Sequence, residues 1–419
     1  MSRLLRLVQP SEVEALQRSA LDAAAITDAA RIVEDVRQHG ESAVREHAER
    51  LGDIAPGEPL SLSREDLERA LASISQDDFA LLRRVAERIR RFAEAQRKCL
   101  LDLDTQVEGG RAGHRWIPVQ SAGCYAPGGR FPLPSSVLMT AVTARVAGVE
   151  HVWVASPKPP PITLAAAAVA GADGLLAVGG AQAVAALAFG AGGVPACDVI
   201  VGPGNKWVTA AKHLVSSSVA IDMLAGPSEL VVIADGHADA ETVALDLLAQ
   251  AEHDPDACAI LISLDAGLIK GVEEALAGHL AGSPVADIAR SALSNGFVCV
   301  VESIEEAVGL ADQIAPEHLH LHVAGPALAE AVRTCKRYGT MFVGAASAEA
   351  VGDYGAGPNH VLPTGGSARH SSGLSVMTFL RARTWLKVDE DASALLDDTV
   401  ALARLEGLEF HARSAARRR

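Results

Sequence analysis

The chain has 419 residues, of which 49% are apolar, 21% charged and only 4% aromatic. That length suggests two or three domains sharing a large core, and the apolar fraction excludes a disordered chain. Asp and Glu outnumber Lys and Arg by 52 to 37, a formal charge of −15 that argues against a general nucleic-acid binder.

The opening MSRLLRLVQPSEVEAL has no uninterrupted apolar run, because Arg3 and Arg6 break it, so no secretory signal is expected. None of the six cysteines forms a Cys-x-x-Cys pattern. Such spacing suits a reducing cytoplasm better than a disulfide framework or a cysteine-bound zinc. The first hundred residues read as amphipathic helices. Ser63 with Asp66 and Ser75 with Asp78 are capping pairs, and Phe79, Leu82, Val85, Ile89 and Phe92 recur at helical spacing as a packing face.

After Trp116 short apolar runs (VEHVWVAS, DGLLAVGG, CDVIVGPG, SELVVIADG, ACAILISL, GFVCVVES, LHLHVAG, GTMFVGAA) alternate with helical stretches. Strands separated by helices imply parallel pairing and a layered α/β fold. The expected organisation is a helical N-terminal region over 1–112, two Rossmann-like parallel-sheet units over 113–229 and 230–370, and a C-terminal arm over 371–419. The arm reads as largely helical from about Ala382. Between Ile162 and Val194 the only charge is Asp173, but Gly171, Gly174, Gly179 and Gly180 punctuate the run, which therefore reads as a buried βαβ core and not as a membrane span.

No Gly-x-Gly-x-x-Gly fingerprint is present. Val178–Gln182 and Val201–Asn205 are instead small-residue turns from strand to helix, where glycines let a phosphate approach and a helix N-terminus offers N–H groups. Gln182 and Asn205 can add side-chain hydrogen bonds there. Tyr125 sits in another glycine-rich loop, able to contact a cofactor or simply to be half-buried. Gln250 and His253 end a helix on one face, and with Asp353 and His411 they offer nitrogen and oxygen donors suited to zinc. Each alone is also an ordinary cap or surface group. Pro316-Glu317-His318-Leu319 places a histidine base beside a carboxylate between a helix and a strand. The alternative there is a helix stop, with His320 and His322 forming an outward strand face.

Taken in order, GCYAPGGRFPLPSSVLMTAVTARVAGV, VGGAQAVAALAFG, VIVGPGNKWVTAAK, IDMLAGPSELVVIAD, LLAQAEHD, APEHL, GDYGAGPNHVLPTGG and LARLEGLEFH closely resemble the histidinol dehydrogenase family from about residue 115 to the end. The resemblance implies a zinc-containing, NAD-dependent homodimer that oxidises L-histidinol to L-histidine through the aldehyde. It implies zinc ligands at Gln250, His253, Asp353 and His411, the last from the partner chain. His318 is then the general base and Glu317 the group that activates water. Ser228, His360 and Glu406 join the substrate contacts, with Glu406 again crossing the dimer. Tyr125, Gln182 and Asn205 match cofactor contacts. Trp207, Cys124-Tyr125-Ala126 and His320 depart from the family's usual residues. A related zinc- and NAD-dependent dehydrogenase of another small polar alcohol, such as a sulfonated diol, and a catalytically silent binding protein are the competing readings.

Overall fold

A computed structural model describes residues 3–16, 21–128 and 132–419. Gly129, Arg130 and Phe131 of the first family-like motif lie outside the described residues. The N-terminal region holds β1 (Arg6–Val8), α1 (Ala23–His39), α2 (Glu41–Leu51), β2 (Ser61–Ser63), α3 (Arg64–Ser73) and α4 (Gln76–Lys98). Local chemistry starts these helices where the sequence signals them. Ser63 and Asp66 form a reciprocal capping box, and the Ser75 side chain accepts from the Asp78 N–H. Each such cap contributes about 1 kcal/mol. Helix α4 buries Leu82, Ala86, Ile89 and Ala93, whereas Phe92 on its flank is partly exposed.

A hairpin, β3 (Leu103–Val107) and β4 (Gly110–Pro118), leads into the first alternating unit. There β5 (Ser121–Tyr125), β6 (His151–Ala155), β7 (Gly174–Leu176), β8 (Val199–Val201) and β9 (Ala220–Ile221) alternate with α5 (Pro134–Ala147), α6 (Pro161–Ala170), α7 (Gly180–Phe189) and α8 (Lys206–Val215). The second unit carries β10 (Glu229–Ala234), α9 (Ala240–Ala251), β11 (Cys258–Ser263), α10 (Ala266–Leu280), α11 (Ala286–Asn295), β12 (Phe297–Val300), α12 (Ile304–Ile314), β13 (His318–His322), α13 (Gly325–Thr334) and β14 (Thr340–Val343). The short α14 (Glu349–Asp353), the strand β15 (Leu380–Val388), α15 (Ser393–Leu405) and α16 (Glu409–Ala416) complete the chain.

The two six-stranded sheets run β2-β7-β6-β5-β8-β9 and β1-β12-β11-β10-β13-β14. Within each, the five strands of the alternating unit take the doubly wound order 3-2-1-4-5, counted within the unit, and pair in parallel. Parallel sheets are covered on both faces, and the central strands β5, β10, β11 and β13 are accordingly buried throughout. The Ala- and Gly-rich run is part of this layering: α7 buries Ala181, Ala183, Ala185, Ala186 and Ala188, small side chains that let the helix approach its sheet. Among the described residues no helix is long and apolar enough to cross a membrane.

Three features differ from the sequence expectation. The N-terminal region is not purely helical, since β1 pairs in parallel with β12 and β2 antiparallel with β7, adding one edge strand to each sheet. The segment after Ala382 begins as strand, because β15 pairs antiparallel with β4 from Leu380↔Pro118 to Val388↔Gly110. Together with β3 these strands form a separate three-stranded sheet, and the helices start only at Ser393. Finally, α9 stops at Ala251, so His253 stands just beyond its end.

Candidate active site

Helix α12 ends where Ala315 turns into the left-handed region (φ 53°), a conformation that costs a non-glycine residue roughly 1 kcal/mol. Pro316 cannot extend the helix, and β13 begins two residues later, held between β10 and β14. Glu317 and His318 are thereby fixed at the N-terminal edge of the second sheet. The Glu229 N–H donates to Glu317 Oε2 at 3.0 Å, the Ser228 side chain hydrogen-bonds the same carboxyl, and the Thr340 N–H donates to the Glu317 carbonyl at 2.9 Å. Burial, with acidic neighbours, raises the Glu317 carboxyl well above the ordinary range.

Around His318 the structure gathers carboxylates from several elements. Its Nδ1 lies 3.4 Å from Glu349 Oε1 and 3.8 Å from Glu317 Oε2, and its Nε2 lies 3.8 Å from Asp353 Oδ1. Burial lowers the ring's pKa to about 4, which keeps the imidazole neutral and able to accept a proton. Neither ring nitrogen makes a hydrogen bond, although both are buried.

His253 Nε2 lies 3.7 Å from Asp353 Oδ2, and the adjacent carboxylate raises the pKa of this ring. Burial pushes the Asp353 carboxyl up, but the facing His253 ring and the nearby His318 and His360 rings hold it below its usual value. His360 receives support from two elements: its Nδ1 is 2.9 Å from the Asp353 carbonyl and its Nε2 is 3.2 Å from Ser136 Oγ on α5. The loop after Asp353 is seated on α4, where a Cβ on Gly355 (φ +101°) would come within 2.5 Å of Val85 Cγ1. The α4 residues expected only to pack thus hold the loop that carries Asp353 and His360.

The donor chemistry fits a divalent metal. Donor atoms of His253, Glu349 and Asp353 lie within 4.8 Å of one another. Gln250, fully buried on α9, has both side-chain polar atoms without a hydrogen-bond partner, an arrangement that is costly unless something else binds there. Glu349 was not among the sequence candidates. It is one acid in AASAEAVGD, and only its burial beside His318 distinguishes it.

The other predicted contacts stand at or just past the carboxyl ends of β5, β7 and β8 in the first sheet. Tyr125 is buried, its phenol pushed up to about 12, and its hydroxyl accepts from the Gly180 N–H at 3.2 Å. The Gly179 N–H and Gln182 Nε2 both donate to Asp53 Oδ2, at 3.0 and 2.9 Å. The helix N-terminus expected to receive a phosphate therefore already meets a carboxylate and a phenol oxygen. Gln182 Oε1 remains buried without a partner, whereas Asn205 is exposed and caps α8 by accepting from the Trp207 and Val208 N–H groups.

The turn before Asn205 is clamped. Lys212 Nζ donates to the Gly202 carbonyl at 2.7 Å and pairs with Asp222, whose other oxygen accepts from the Gly202 N–H at 2.7 Å. A Cβ on Gly202 (φ +116°) would fall 2.0 Å from the Tyr125 carbonyl, so the two loops touch. Lys212 and Asp222 are both buried. Lys212→Met leaves Asp222 as an unpaired buried charge and is expected to lower unfolding free energy by roughly 3–5 kcal/mol, read from the urea midpoint.

Within one chain, Glu406 and His411 stay apart from these groups. Both are exposed on the arm, and His411 is absent from the donor group around His253. Helices α15 and α16 share a small core of their own (Leu396, Val400, Ala403, Ala412 and Ala415). Leu402, Leu405 and Phe410 are left 59%, 85% and 82% exposed.

The histidinol dehydrogenase family model matches residues 16–419. The chain belongs to the histidinol dehydrogenase family. It is 45% identical to the histidinol dehydrogenase of Nitratidesulfovibrio vulgaris over 399 residues, covering 92% of this chain and 91% of that one. The Haloarcula marismortui enzyme of the same name is 45% identical over 398 residues, covering 93% of each. The crystal structure of histidinol dehydrogenase from Elizabethkingia anophelis superposes with a TM-score of 0.93 at 30% identity, covering 100% of this chain and 98% of that one. Family membership accounts for the two-sheet architecture and for the shared order of motifs along the chain.

Proposed function

We infer that this chain oxidises L-histidinol to L-histidine, using NAD as oxidant in two successive hydride removals at one site. The observation that carries the reading is the convergence of Glu317 and His318 with His253 and Asp353, with Gln250 buried and unpartnered on the helix that leads to His253, in a chain of the histidinol dehydrogenase family. The unit over 113–229 takes the NAD, through Tyr125, Gln182 and Asn205. The unit over 230–370 supplies the substrate pocket, in which Ser228 and His360 also contact substrate.

Gln250, His253 and Asp353, with His411 of a second copy, would hold zinc, which when bound supplies a fixed Lewis acid to orient the substrate's imidazole and amino nitrogens, while NAD accepts hydride. His318 takes the hydroxyl proton in the first oxidation. Its neutral ring has an uncommitted nitrogen for this task, and Glu349 facing Nδ1 fixes which nitrogen that is. In the second oxidation water adds to the aldehyde: Glu317, ionised, takes a proton from the water, and the protonated His318 returns its proton to the aldehyde oxygen, which leaves its ring neutral again. A carboxyl lifted toward neutrality is a stronger acceptor, once ionised, than an ordinary one. His318 then takes the proton of the hydrate hydroxyl as the second hydride leaves. Burial of Glu317, His318 and Glu349 keeps bulk water from the reacting carbon.

Glu349→Gln is expected to lower kcat roughly ten- to hundred-fold with KM little changed, because the base is still present but its ring is less firmly oriented. Steady-state kinetics with zinc-loaded protein measures both constants.

The arm supports a shared site. Helices bearing Leu402, Leu405 and Phe410 this exposed need a cover, and a second copy supplying Glu406 and His411 to this site provides one. The direct test of substrate is turnover of zinc-loaded protein with NAD and either L-histidinol or a sulfonated diol. Turnover of the diol alone overturns the assignment.

A further inference from the structure

Beyond the site above lies a second cluster that the proposed reaction does not use. Strand β13 alternates His318, Leu319, His320, Leu321 and His322, so the three histidines share one face. That polar face is not turned to solvent: His320 is fully buried and His322 is 4% exposed. Helix α9 lies against it and contributes Asp246, one turn before Gln250. His322 Nε2 is 2.8 Å from Asp246 Oδ2, His320 Nδ1 is 3.1 Å from the same oxygen, and the two ring nitrogens are 3.2 Å apart.

With both rings neutral, proton accounting leaves this triangle short. His320 Nε2 is 3.1 Å from the Gly344 carbonyl, which can only accept, so the proton of the neutral ring belongs on Nε2. Nδ1 then presents a lone pair to the Asp246 oxygen. A single proton on His322 Nε2 has to serve both the other nitrogen and the carboxylate. Three donors bonded at 2.0–2.1 Å to a tetrahedral zinc stand about 3.3 Å apart, close to the three separations seen here. A carbonyl fixing the far nitrogen of a ligating histidine is also the usual outer-shell arrangement at such sites.

We propose that Asp246, His320 and His322 form a second, buried site for a divalent transition metal, bound through Asp246 Oδ2, His320 Nδ1 and His322 Nε2. His322 then carries its remaining proton on Nδ1, and the carboxylate balances one of the two metal charges. Imidazole with carboxylate favours zinc, cobalt or nickel over magnesium or calcium. The site's place one helical turn from Gln250 and one strand repeat from His318 makes it a rigid brace behind the reaction centre.

The test is a metal count on the full-length protein, loaded with zinc, freed of loose ion by gel filtration and measured by inductively coupled plasma mass spectrometry. The expected values are two metals per subunit for the wild type and one for Asp246→Asn or His320→Gln. His253→Ala, which removes a ligand of the first site, is also expected to retain one, and its double variant with Asp246→Asn none. One metal in the wild type that is lost in His253→Ala, or an Asp246→Asn count equal to the wild type, overturns the second site. A His253→Ala count equal to the wild type instead sinks the active-site zinc and leaves the second site standing. Asp246→Asn and His320→Gln keep side-chain size, and the wild-type count is informative even if neither folds.

Discussion

His318→Ala is expected to lower turnover by roughly 10²–10⁴-fold while zinc content stays at the wild-type level. Turnover falls because the other groups are committed: both His360 nitrogens lie in hydrogen-bonding contact with Ser136 and the Asp353 carbonyl, Asp353 faces His253 and the His318 ring's own Nε2, and Glu317 accepts from the Glu229 N–H. Metal content holds because His318 lies outside the donor group of His253, Glu349 and Asp353. His253→Ala gives the opposite pattern, with metal loss preceding activity loss. NADH formation and metal analysis on the same preparations separate the two roles. Retained turnover in the His318 variant rejects it as the base.

Removing the chain from Glu406 onward is expected to cost a hundred-fold or more in activity, roughly the penalty for misplacing a bound substrate, while the two sheets remain folded. The cores under the sheets contain no residue of α15 or α16, and those helices pack on a core of their own. The sharper form of this experiment mixes two inactive chains, one lacking the arm and one carrying His318→Ala. If one protomer's arm completes its partner's site, each mixed dimer holds one intact site, and equal mixing restores about a quarter of the wild-type rate. No recovery after subunit exchange contradicts the sharing.

Much of this organisation is legible in the sequence because its signals are local. Ser63–Asp66 and Ser75–Asp78 start their helices, and the apolar runs between residues 151 and 343 each become a strand. Glu317 and His318 stand out because a proline after a helix and a histidine entering a strand are visible without any tertiary contact. The misses arise where a partner far away decides the outcome. Residues 6–8 and 61–63 carry too few side chains to declare a strand, and they become one only against β12 and β7. The segment 380–388 is strand because β4 lies beside it, which no short-range pattern reports.

Alternation misled at His320 and His322. Leu between His normally means one wet face, but β13 lies inside a parallel sheet and α9 covers its polar side with Asp246. Glu349 had no signal at all, since its importance comes from burial beside His318. Glu406 and His411 are legible only through the family resemblance, because one chain leaves them exposed. The cofactor turn shows the reverse: glycines at 179 and 180 promised an open anion site, and Asp53 from the N-terminal region fills it.

The central claim is two oxidations of one substrate at one site. The most direct measurement is the ratio of NADH formed to histidine formed when purified, zinc-loaded protein consumes L-histidinol. The account predicts two NADH per histidine, with no free aldehyde trapped by added semicarbazide. One NADH per histidinol, with the aldehyde released to the trap, contradicts it.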